Sequence, residues 1–475
     1  MISMFNKHGY TSIALIIGSL LLVTGCVRAP QVQLIPAALE NNKLSDVDTQ
    51  RTGNYWWRSL QDSELNSLII QGLDQNPSAQ IALARLAQAQ TDLQIAKASR
   101  WPSVVASGTR NVQNFSDSQA DTRSDLGSLD IGWDFGLWGK RRLQIQAAQQ
   151  LQQALWFEHQ SVALAISTSI ADTYYRVVEH NRQSALLAAQ IQVSQDLEQL
   201  IDARFRLGQA SASELYQQRE ETSALQQLKL FNDTLQQTLE INLDVLLGQA
   251  PDDTPRVHKT YLPDALGPVV VADAQHLITH RADLRASYAE LRQAASLAGI
   301  AFAERLPSLQ VTASLTSLTS KAASSEWVGY TLDLAAPLFT GGQLRGLAQR
   351  ALHQLEEARQ RYLQVWLTAL EEVNALKWRY QQQQQIIATL TQRQQFAQQA
   401  LQAARNRYVL GDQNYLDVLT ALRGLQQADR LLISEQRQLV TLWIGAVQAT
   451  GQPMCDATGG KSSDTPATCK VNWQI

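Results

Sequence analysis

Two periodicities divide the chain. Over Ser128–Phe135, Leu129, Ile131, Trp133 and Phe135 alternate with Ser128, Asp130, Gly132 and Asp134. A period of two sorts side chains onto opposite faces, so this stretch predicts a strand with one greasy and one polar face. Val104–Val112 alternates more weakly and predicts its hairpin partner, across a polar loop Asn114–Asp125. The design returns after Arg305-Leu306-Pro307-Ser308. There Leu309, Val311, Ala313 and Leu315 alternate with Gln310, Thr312, Ser314 and Thr316. Val328, Tyr330, Leu332 and Leu334 then alternate with Trp327, Gly329, Thr331 and Asp333. Two hairpins follow, with strands of roughly ten residues, the length a tilted strand needs to cross a bilayer. Asp130, Asp134 and Asp333 fall on the polar parity, which would face the lumen of a barrel. Trp101, Trp133, Trp138, Trp327 and Phe339 gather near strand ends, where a membrane-spanning sheet carries its aromatic belt.

After each hairpin the period becomes helical. The junctions are Asp134-Phe135-Gly136-Leu137-Trp138-Gly139-Lys140 and Ala336-Pro337-Leu338-Phe339-Thr340-Gly341-Gly342. From Arg141 to Leu207 no proline or glycine interrupts, and from Gln343 to Leu410 only Gly346 does. Each span of about 65 residues would be close to 100 Å as a helix, at ~1.5 Å per residue. In the second span Leu352, Leu355, Tyr362, Val365, Ala369, Val373, Leu376 and Tyr380 recur at threes and fours, a coiled-coil-like stripe. Shorter helices return over Ala212–Leu247, ending at Gly248, and over Tyr415–Ala449, ending at Gly451. Ahead of the first hairpin, Asp62 or Ser63 can cap a helix that Asn76-Pro77-Ser78 breaks. Helices over Ala272–Ala303 precede the second hairpin, and Ala250–Pro268 is a Pro-rich connector without clear pattern.

The turns between long and return helices are near-twins. Arg204–Arg219 reads RFRLGQASASELYQQR and Arg405–Arg423 reads RNRYVLGDQNYLDVLTALR. Aligned on Gly208 and Gly411, Arg204 matches Arg407, Glu214 matches Asp417 and Leu215 matches Val418. Each reads as a helix ending on a left-handed glycine, a polar turn and a new helix. The chain is therefore an internal two-fold repeat. Its expected segments are a signal peptide (1–25), an N-terminal linker (26–53), helices of the first repeat (54–100), a first β-hairpin (101–136) and long coiled-coil helices (137–248). A connector (249–271), helices of the second repeat (272–304), a second β-hairpin (305–338), long helices (339–451) and a C-terminal tail (452–475) complete it.

Composition adds compartment and excludes some chemistry. The 475 residues carry 40 basic and 43 acidic side chains, net −3, so no basic field is offered to nucleic acid. Lys7 and His8 precede the apolar run Ile13–Val23, too short for a transmembrane helix, which closes on Leu22-Val23-Thr24-Gly25-Cys26. Small residues before a cysteine resemble a bacterial lipobox, so Cys26 reads as the lipidated first residue after cleavage. Val27 rather than Asp follows, which in that resemblance implies sorting to the outer membrane. Cys455 and Cys469 lie in a Gly/Ser/Thr/Pro-rich tail, where an oxidising compartment allows a disulfide between them. No GxSxG, Walker loop or HExxH occurs. His276 and His280 stand at i, i+4 without a third ligand, and Met1, Met4 and Met454 are the only methionines. No catalysis, cofactor or bound metal is expected.

Four membrane-type strands cannot close a barrel, and an open sheet in lipid leaves backbone edges unpaired. Subunits must share one barrel; three would supply twelve strands and twelve helices. The chain resembles the TolC-like outer membrane factor family, in particular its lipidated efflux branch. The resemblance rests on Trp56-Trp57 with Asp62 and Leu65, Asn76-Pro77, Pro102-Ser103, Arg281-Ala282-Asp283-Leu284-Arg285, Leu306-Pro307-Ser308, Pro337-Leu338-Phe339 with Gly341-Gly342, and the two glycine tips. Departures are Ala282 where the family often has proline, Thr340 where it often has an acid or Asn, and a long tail. The resemblance implies a mainly α fold with a transmembrane β part. It also implies a homotrimer, with a 12-stranded β-barrel continued by a 12-helix α-barrel and an equatorial domain. Such a trimer would sit in outer membrane lipid, reach into the periplasm, and be engaged by a periplasmic adaptor and an inner-membrane pump.

The resemblance also implies site residues. Asp417 matches an acid that rings the tunnel axis, with Thr420 where a second acid can stand. Tyr408 and Glu214, with Ser213 beside it, match a latch between tips. Arg204, Leu207, Gly208, Arg407, Leu410 and Gly411 are the expected adaptor-contact tips. Two other functions stay open: a type I protein-secretion channel, and a lipid-anchored coiled-coil structural protein without a pore. If Asp417 narrows the tunnel, the Asp417→Ala channel conducts more than wild type in a planar bilayer; unchanged conductance removes Asp417 from the gate.

Overall fold

The computed structural model describes residues 28, 30, 55–113, 122–252, 254–263, 266, 274–320, 323–410, 412 and 414–451. Cys26, Gly411, Cys455 and Cys469 lie outside the described residues, as do the leader and the C-terminal tail. A 3-10 turn, Trp56–Leu60, leads into α1 (Ser63–Gln75) and α2 (Pro77–Ala98). Strands β1 (Ser103–Gln113) and β2 (Thr122–Asp134) follow, then α3 (Lys140–Arg206) and α4 (Ala212–Leu246). The second repeat gives α5 (Ala274–His280), α6 (Ala282–Ala303), β3 (Ser308–Ser320), β4 (Ser324–Ala335), α7 (Gln343–Leu410) and α8 (Tyr415–Thr450).

One sheet holds all four strands in the order β1-β2-β3-β4, antiparallel throughout, so β1 and β4 are its edges. The register carries the predicted parity across the sheet. One face stacks Val104, Ile131, Ala313 and Tyr330 in one row and Ala106, Leu129, Leu315 and Val328 in the next. Most of these apolar side chains are exposed, Tyr330 by 82%. The opposite face carries Ser128, Asp130, Gly132, Thr312 and Ser314, half-buried, with Thr316 buried. The sheet thus has one polar face, partly covered on its central strands, and one greasy, exposed face. β2 starts earlier than the alternation predicts, because Arg123-Ser124-Asp125 continue the ladder beyond the apolar band. There Asp125 accepts a fork from Arg110 at 2.6 and 2.9 Å, so both faces are polar and no alternation marks the strand.

The repeat is copied in backbone detail. Trp138 and Gly139 stand in the positions of Gly341 and Gly342, and all four have positive φ: 64°, 80°, 59° and 86°. Trp138 has a Cβ that disfavours the left-handed region. Its indole N–H donates to the Pro307 carbonyl at 2.7 Å, which ties this junction to the start of β3. At the other end, Gly248 and Gly451 close the return helices with φ 76° and 67°. Each packs on the break between the two helices that open its repeat, Gly248 on the Gln75 carbonyl and Gly451 on His280 and Arg281. Asn76 donates to the Leu246 carbonyl at 2.8 Å, and Arg281 to the Ala449 carbonyl at 3.1 Å. In each case the break residue caps an orphan carbonyl of the return helix.

The chain forms two compact units, each assembled from both repeats. One comprises Leu86–Leu155 and Ser287–Leu363 and contains the sheet. The other comprises residues 55–85, Trp156–Ala286 and 364–451 and holds the main apolar core. In that core Trp56, Trp57, Leu65 and Ile69 pack with Ile170, Tyr174, Tyr175, Leu243, Leu247, Trp443 and Ile444. Asp62 caps α1 by accepting from Leu65 N–H at 3.2 Å. It also takes Lys259 at 2.7 Å, while Glu240 accepts the backbone N–H groups of Arg256 and Val257. The connector without sequence pattern is thus strapped down by Asp62 at the start of α1 and by Glu240 of the preceding helix α4. Beside that apolar packing α3 and α8 share a polar ladder: Thr441 to Asp172 at 2.6 Å, Arg437 to Glu179 at 2.7 Å and Arg430 to Gln190 at 2.8 Å. Along the α7 stripe Tyr362 and Ala369 are buried, but Leu352 is exposed among the described residues.

The glycine caps yield a stability prediction. A Cβ at Gly208 meets nothing within 4 Å, whereas at Gly248 it lies 2.3 Å from the Gln75 carbonyl oxygen. Gly208→Ala should cost about 1 kcal/mol of backbone strain, and Gly248→Ala about 3 kcal/mol once overpacking is added. Thermal melting followed by circular dichroism separates them; equal losses would contradict the packing role.

Candidate functional site

The two tips are built alike and finished differently. In the first, α3 ends with Gly208 N–H donating to Phe205 O at 2.9 Å and Gln209 N–H to Arg204 O at 2.8 Å. Gly208 has φ 73°, the left-handed cap that only glycine adopts without strain. In the second, Asp412 N–H donates to Arg407 O at 3.0 Å, the equivalent bond.

The return helices start differently. Ser211 caps α4 with a complete capping box: Glu214 N–H donates to Ser211 Oγ at 3.2 Å, and Ser211 N–H to Glu214 Oε2 at 3.1 Å. Asn414 caps α8 without any side-chain bond. Asp417, the equivalent of Glu214, is one methylene shorter and makes no such box. It is exposed in the first turn of α8, where the helix dipole favours a carboxylate. Thr420 is exposed one turn on and bonds back to the Leu416 carbonyl at 2.8 Å. Asp417 and Thr420 therefore share one solvent face of the protomer.

Glu214 is occupied by its cap, and no hydrogen bond joins it to Tyr408 among the described residues. Tyr408 instead lies under the Arg204 guanidinium, 5.0 Å from ring centroid, with its ring 5.8 Å from that of Tyr415. Burial raises the Tyr408 hydroxyl pKa, the Arg204 charge opposes this, and the nearby Glu214 charge adds to it. Ser213 and Arg407 are exposed. Leu207 and Leu410 are 72% and 75% exposed and Val409 82%, a set of apolar side chains offered to solvent at both tips. On the sheet, Asp130 accepts from Ser128 Oγ at 2.6 Å, whereas Asp134 accepts from Gly136 N–H at 2.7 Å and so shapes the junction turn. Asp333 stands across from Gln310, which itself pairs with Asp134.

Sequence reasoning missed the residues that join the tips. Ile201 and Leu215 of the first tip pack with Tyr415 and Leu419 of the second in a small apolar cluster. Gln218 is fully buried beside it. Its amide donates to Ser194 O at 2.8 Å and Oγ at 2.7 Å, and its carbonyl accepts from the Tyr415 hydroxyl. Burial, chiefly, holds that hydroxyl well above the ordinary tyrosine pKa. Arg423 then bonds Glu221 through Nε and Glu220 through Nη2, the latter at 2.5 Å. A glutamine at a core position of α4 was the available signal.

Comparison with known proteins places this arrangement. A family model described as outer membrane efflux protein matches residues 68–249 and 274–452. The chain is 28% identical over 433 residues to the pyoverdine export outer membrane protein OpmQ of Pseudomonas putida, covering 86% of this chain and 89% of that one. It is 24% identical to the multidrug resistance outer membrane protein MdtP of Escherichia coli, covering 91% and 96%. The solved structure of the outer membrane protein VceC from Vibrio cholerae superposes with a TM-score of 0.76 at 28% identity, over 83% of this chain and 98% of that one. The outer-membrane channel OprN matches in fold, with a TM-score of 0.77.

The buried bond between tips is testable. Tyr415→Phe leaves the Gln218 carbonyl unsatisfied at no change of shape, so it should cost about 1–3 kcal/mol. Faster amide exchange confined to the ends of α4 and α8 would report it; unchanged protection there would show that the hydroxyl contributes nothing.

Proposed function

Because the chain belongs to the outer membrane efflux protein family, we propose that three copies close into a single duct across the outer membrane. It is the outer-membrane channel of an efflux system, and its fold is that of channels. The observation that carries the trimer is the open sheet. β1 and β4 each leave one edge unpaired, and the apolar face is exposed along the strands. In lipid, each unpaired backbone group costs several kcal/mol, so β4 of one copy must pair with β1 of the next. Three copies reach twelve strands, above the eight at which single-chain barrels begin.

In this reading the duct is passive and does no chemistry. Small organic solutes pass along it, as the names of OpmQ and MdtP suggest for their own cargo. A lipid on Cys26 anchors the chain, and Cys455 and Cys469 can bond in the tail. An inner-membrane pump and a periplasmic adaptor engage the tips, where Leu207, Leu410 and the arginines Arg204 and Arg407 supply apolar and cationic contacts. Asp417 and Thr420 share the exposed face that would meet the axis, and Asp130 and Asp333 occupy the polar face of the sheet. Residues 249–271 and the tail contribute to the equatorial belt. The segments 101–136 and 305–338 form the membrane part, and 137–248 and 339–451 the tunnel.

The protein extracted from outer membranes should migrate as a trimer that dissociates on heating, and should form discrete conducting channels in planar bilayers. A strain lacking it should become more susceptible to small toxic solutes. A soluble monomer without conductance would overturn the reading.

A further inference from the structure

We propose, on the shared-barrel reading above, that Trp101 of one copy seats over Gly341 and Gly342 of the next copy, beside the seam where β4 meets β1. The chain shows how such a seam is built, because it joins its own two repeats. The two hairpins keep the same register. Ser103 faces Gly132 in the first, and Ser308 faces Ala335 in the second. Each serine follows the proline that opens its hairpin. Gly132 and Ala335 each stand six residues before Trp138 and Gly341, the matched residues of the two junctions. The first repeat meets the second through the β2–β3 pair. Closing a ring takes the same step from β4 to the next copy's β1. A closed barrel keeps one tilt and stagger around its wall, so the closing step takes the geometry of the internal one. Carrying the β2–β3 register over sets Leu334 opposite the next copy's Gly108, and Leu332 opposite its Arg110. No side chain changes face across this seam, because both strands keep the greasy parity.

Inside the chain the step is covered. The Trp138 indole N–H donates to Pro307 O at 2.7 Å, and Phe135 N–H donates to Leu309 O at 3.1 Å. Lys140 pairs with Glu304 at 3.4 Å, and residues 136–140 are all half-buried. The matched stretch of the second repeat is bare. Leu338 and Phe339 are 95% and 91% exposed, and Thr340, Gly341 and Gly342 are exposed with them. What covers the first junction is the start of a following strand. The second junction has no following strand in its own chain, since β1 lies at the opposite edge of the sheet.

The bulk at this step changes sides. Within the chain the junction supplies Trp138 and the strand start supplies Leu306, which is half-buried. At the closing step the junction supplies Gly341, and the strand start supplies Trp101, which is 77% exposed. A Cβ at Gly341 or Gly342 would meet nothing within 4 Å, so there is room for the ring. The charges change together as well. Lys140 and Glu304 match Gln343 and Ser99, so the closing step leaves neither charge without its partner. An indole removes on the order of 150–250 Å² from solvent, and aromatic anchors in small pockets dominate interfaces.

The test is the rate at which purified trimers in detergent dissociate to monomers at a fixed raised temperature. Trp101→Leu should dissociate about tenfold faster. Gly341→Trp alone should also dissociate faster, because two indoles then compete for one seat. The backbone admits that residue, since Trp138 holds the matched position at φ 64°. Trp101→Leu combined with Gly341→Trp copies the internal step and should return the rate toward wild type. A wild-type rate from Trp101→Leu would assign the indole to lipid and overturn the seat. A double variant no slower than the faster single one overturns it too. Should Trp101→Leu yield no trimers, their recovery in the double variant supports the seat and their absence overturns it. A second readout leaves Trp101 in place, in a chain carrying Cys455→Ser and Cys469→Ser. Under a mild oxidant, Gly108→Cys with Leu334→Cys should link subunits, and Gly108→Cys with Leu332→Cys should not. Linking by the second pair alone, or by neither in a trimer, overturns the register that brings Trp101 to Gly341. Monomers from the wild-type chain would instead sink the shared-barrel reading.

Discussion

A strand edge in hydrocarbon has nothing to bond except another strand. The four-stranded sheet ends at β1 and β4, and each edge carries a row of backbone donors and acceptors. Much of the architecture follows from meeting that demand. The hairpins must alternate, so that one face suits lipid and the other suits water. They must be matched in length, because a barrel closes only if its strands keep register. Their total number of strands must be even, because antiparallel closure requires it, and hairpins supply strands two at a time. Duplication of one unit, a hairpin flanked by helices, meets these conditions with a short coding solution, and the proposed trimer completes the ring.

The helical part faces a different constraint. In the proposed tunnel a wall one helix thick would have two wet surfaces and could not bury a broad apolar stripe. Its contacts are accordingly narrow and often polar. α3 and α8 meet through Asp172–Thr441, Glu179–Arg437 and Gln190–Arg430, and the tips through Gln218–Tyr415 and Arg423. Such contacts set register between helices because each group must find its own partner. They also part at lower cost than an apolar core, since water can replace a half-exposed bond. The main apolar core, around Trp56, Trp57, Tyr174 and Trp443, serves instead to fix the ends of the return helices.

Much of the fold was legible in the residues. The strand parity, the long uninterrupted helices, the Asp62 cap and the left-handed Gly208 all rest on local rules of period and backbone sterics. The site was legible only in outline. Ser211-Ala212-Ser213-Glu214 carries a capping-box pattern, yet the same Glu214 also matched a latch position. Which role it takes depends on where Tyr408 lies, and Tyr408 lies under Arg204. β2 extended past its alternation because Asp125 found Arg110 across the hairpin.

By itself the sequence determined the repeat, the element types and the greasy parity of the strands, because each depends on neighbours within a few residues. It also determined that the tips differ, Glu214 against Asp417. Only the tertiary structure decided what that difference does. The longer acid closes its own helix start, and the shorter one is exposed to solvent. It also brought Arg423 onto Glu220 and Glu221, about two hundred residues away in the chain, through an approach of helices that no local pattern specifies.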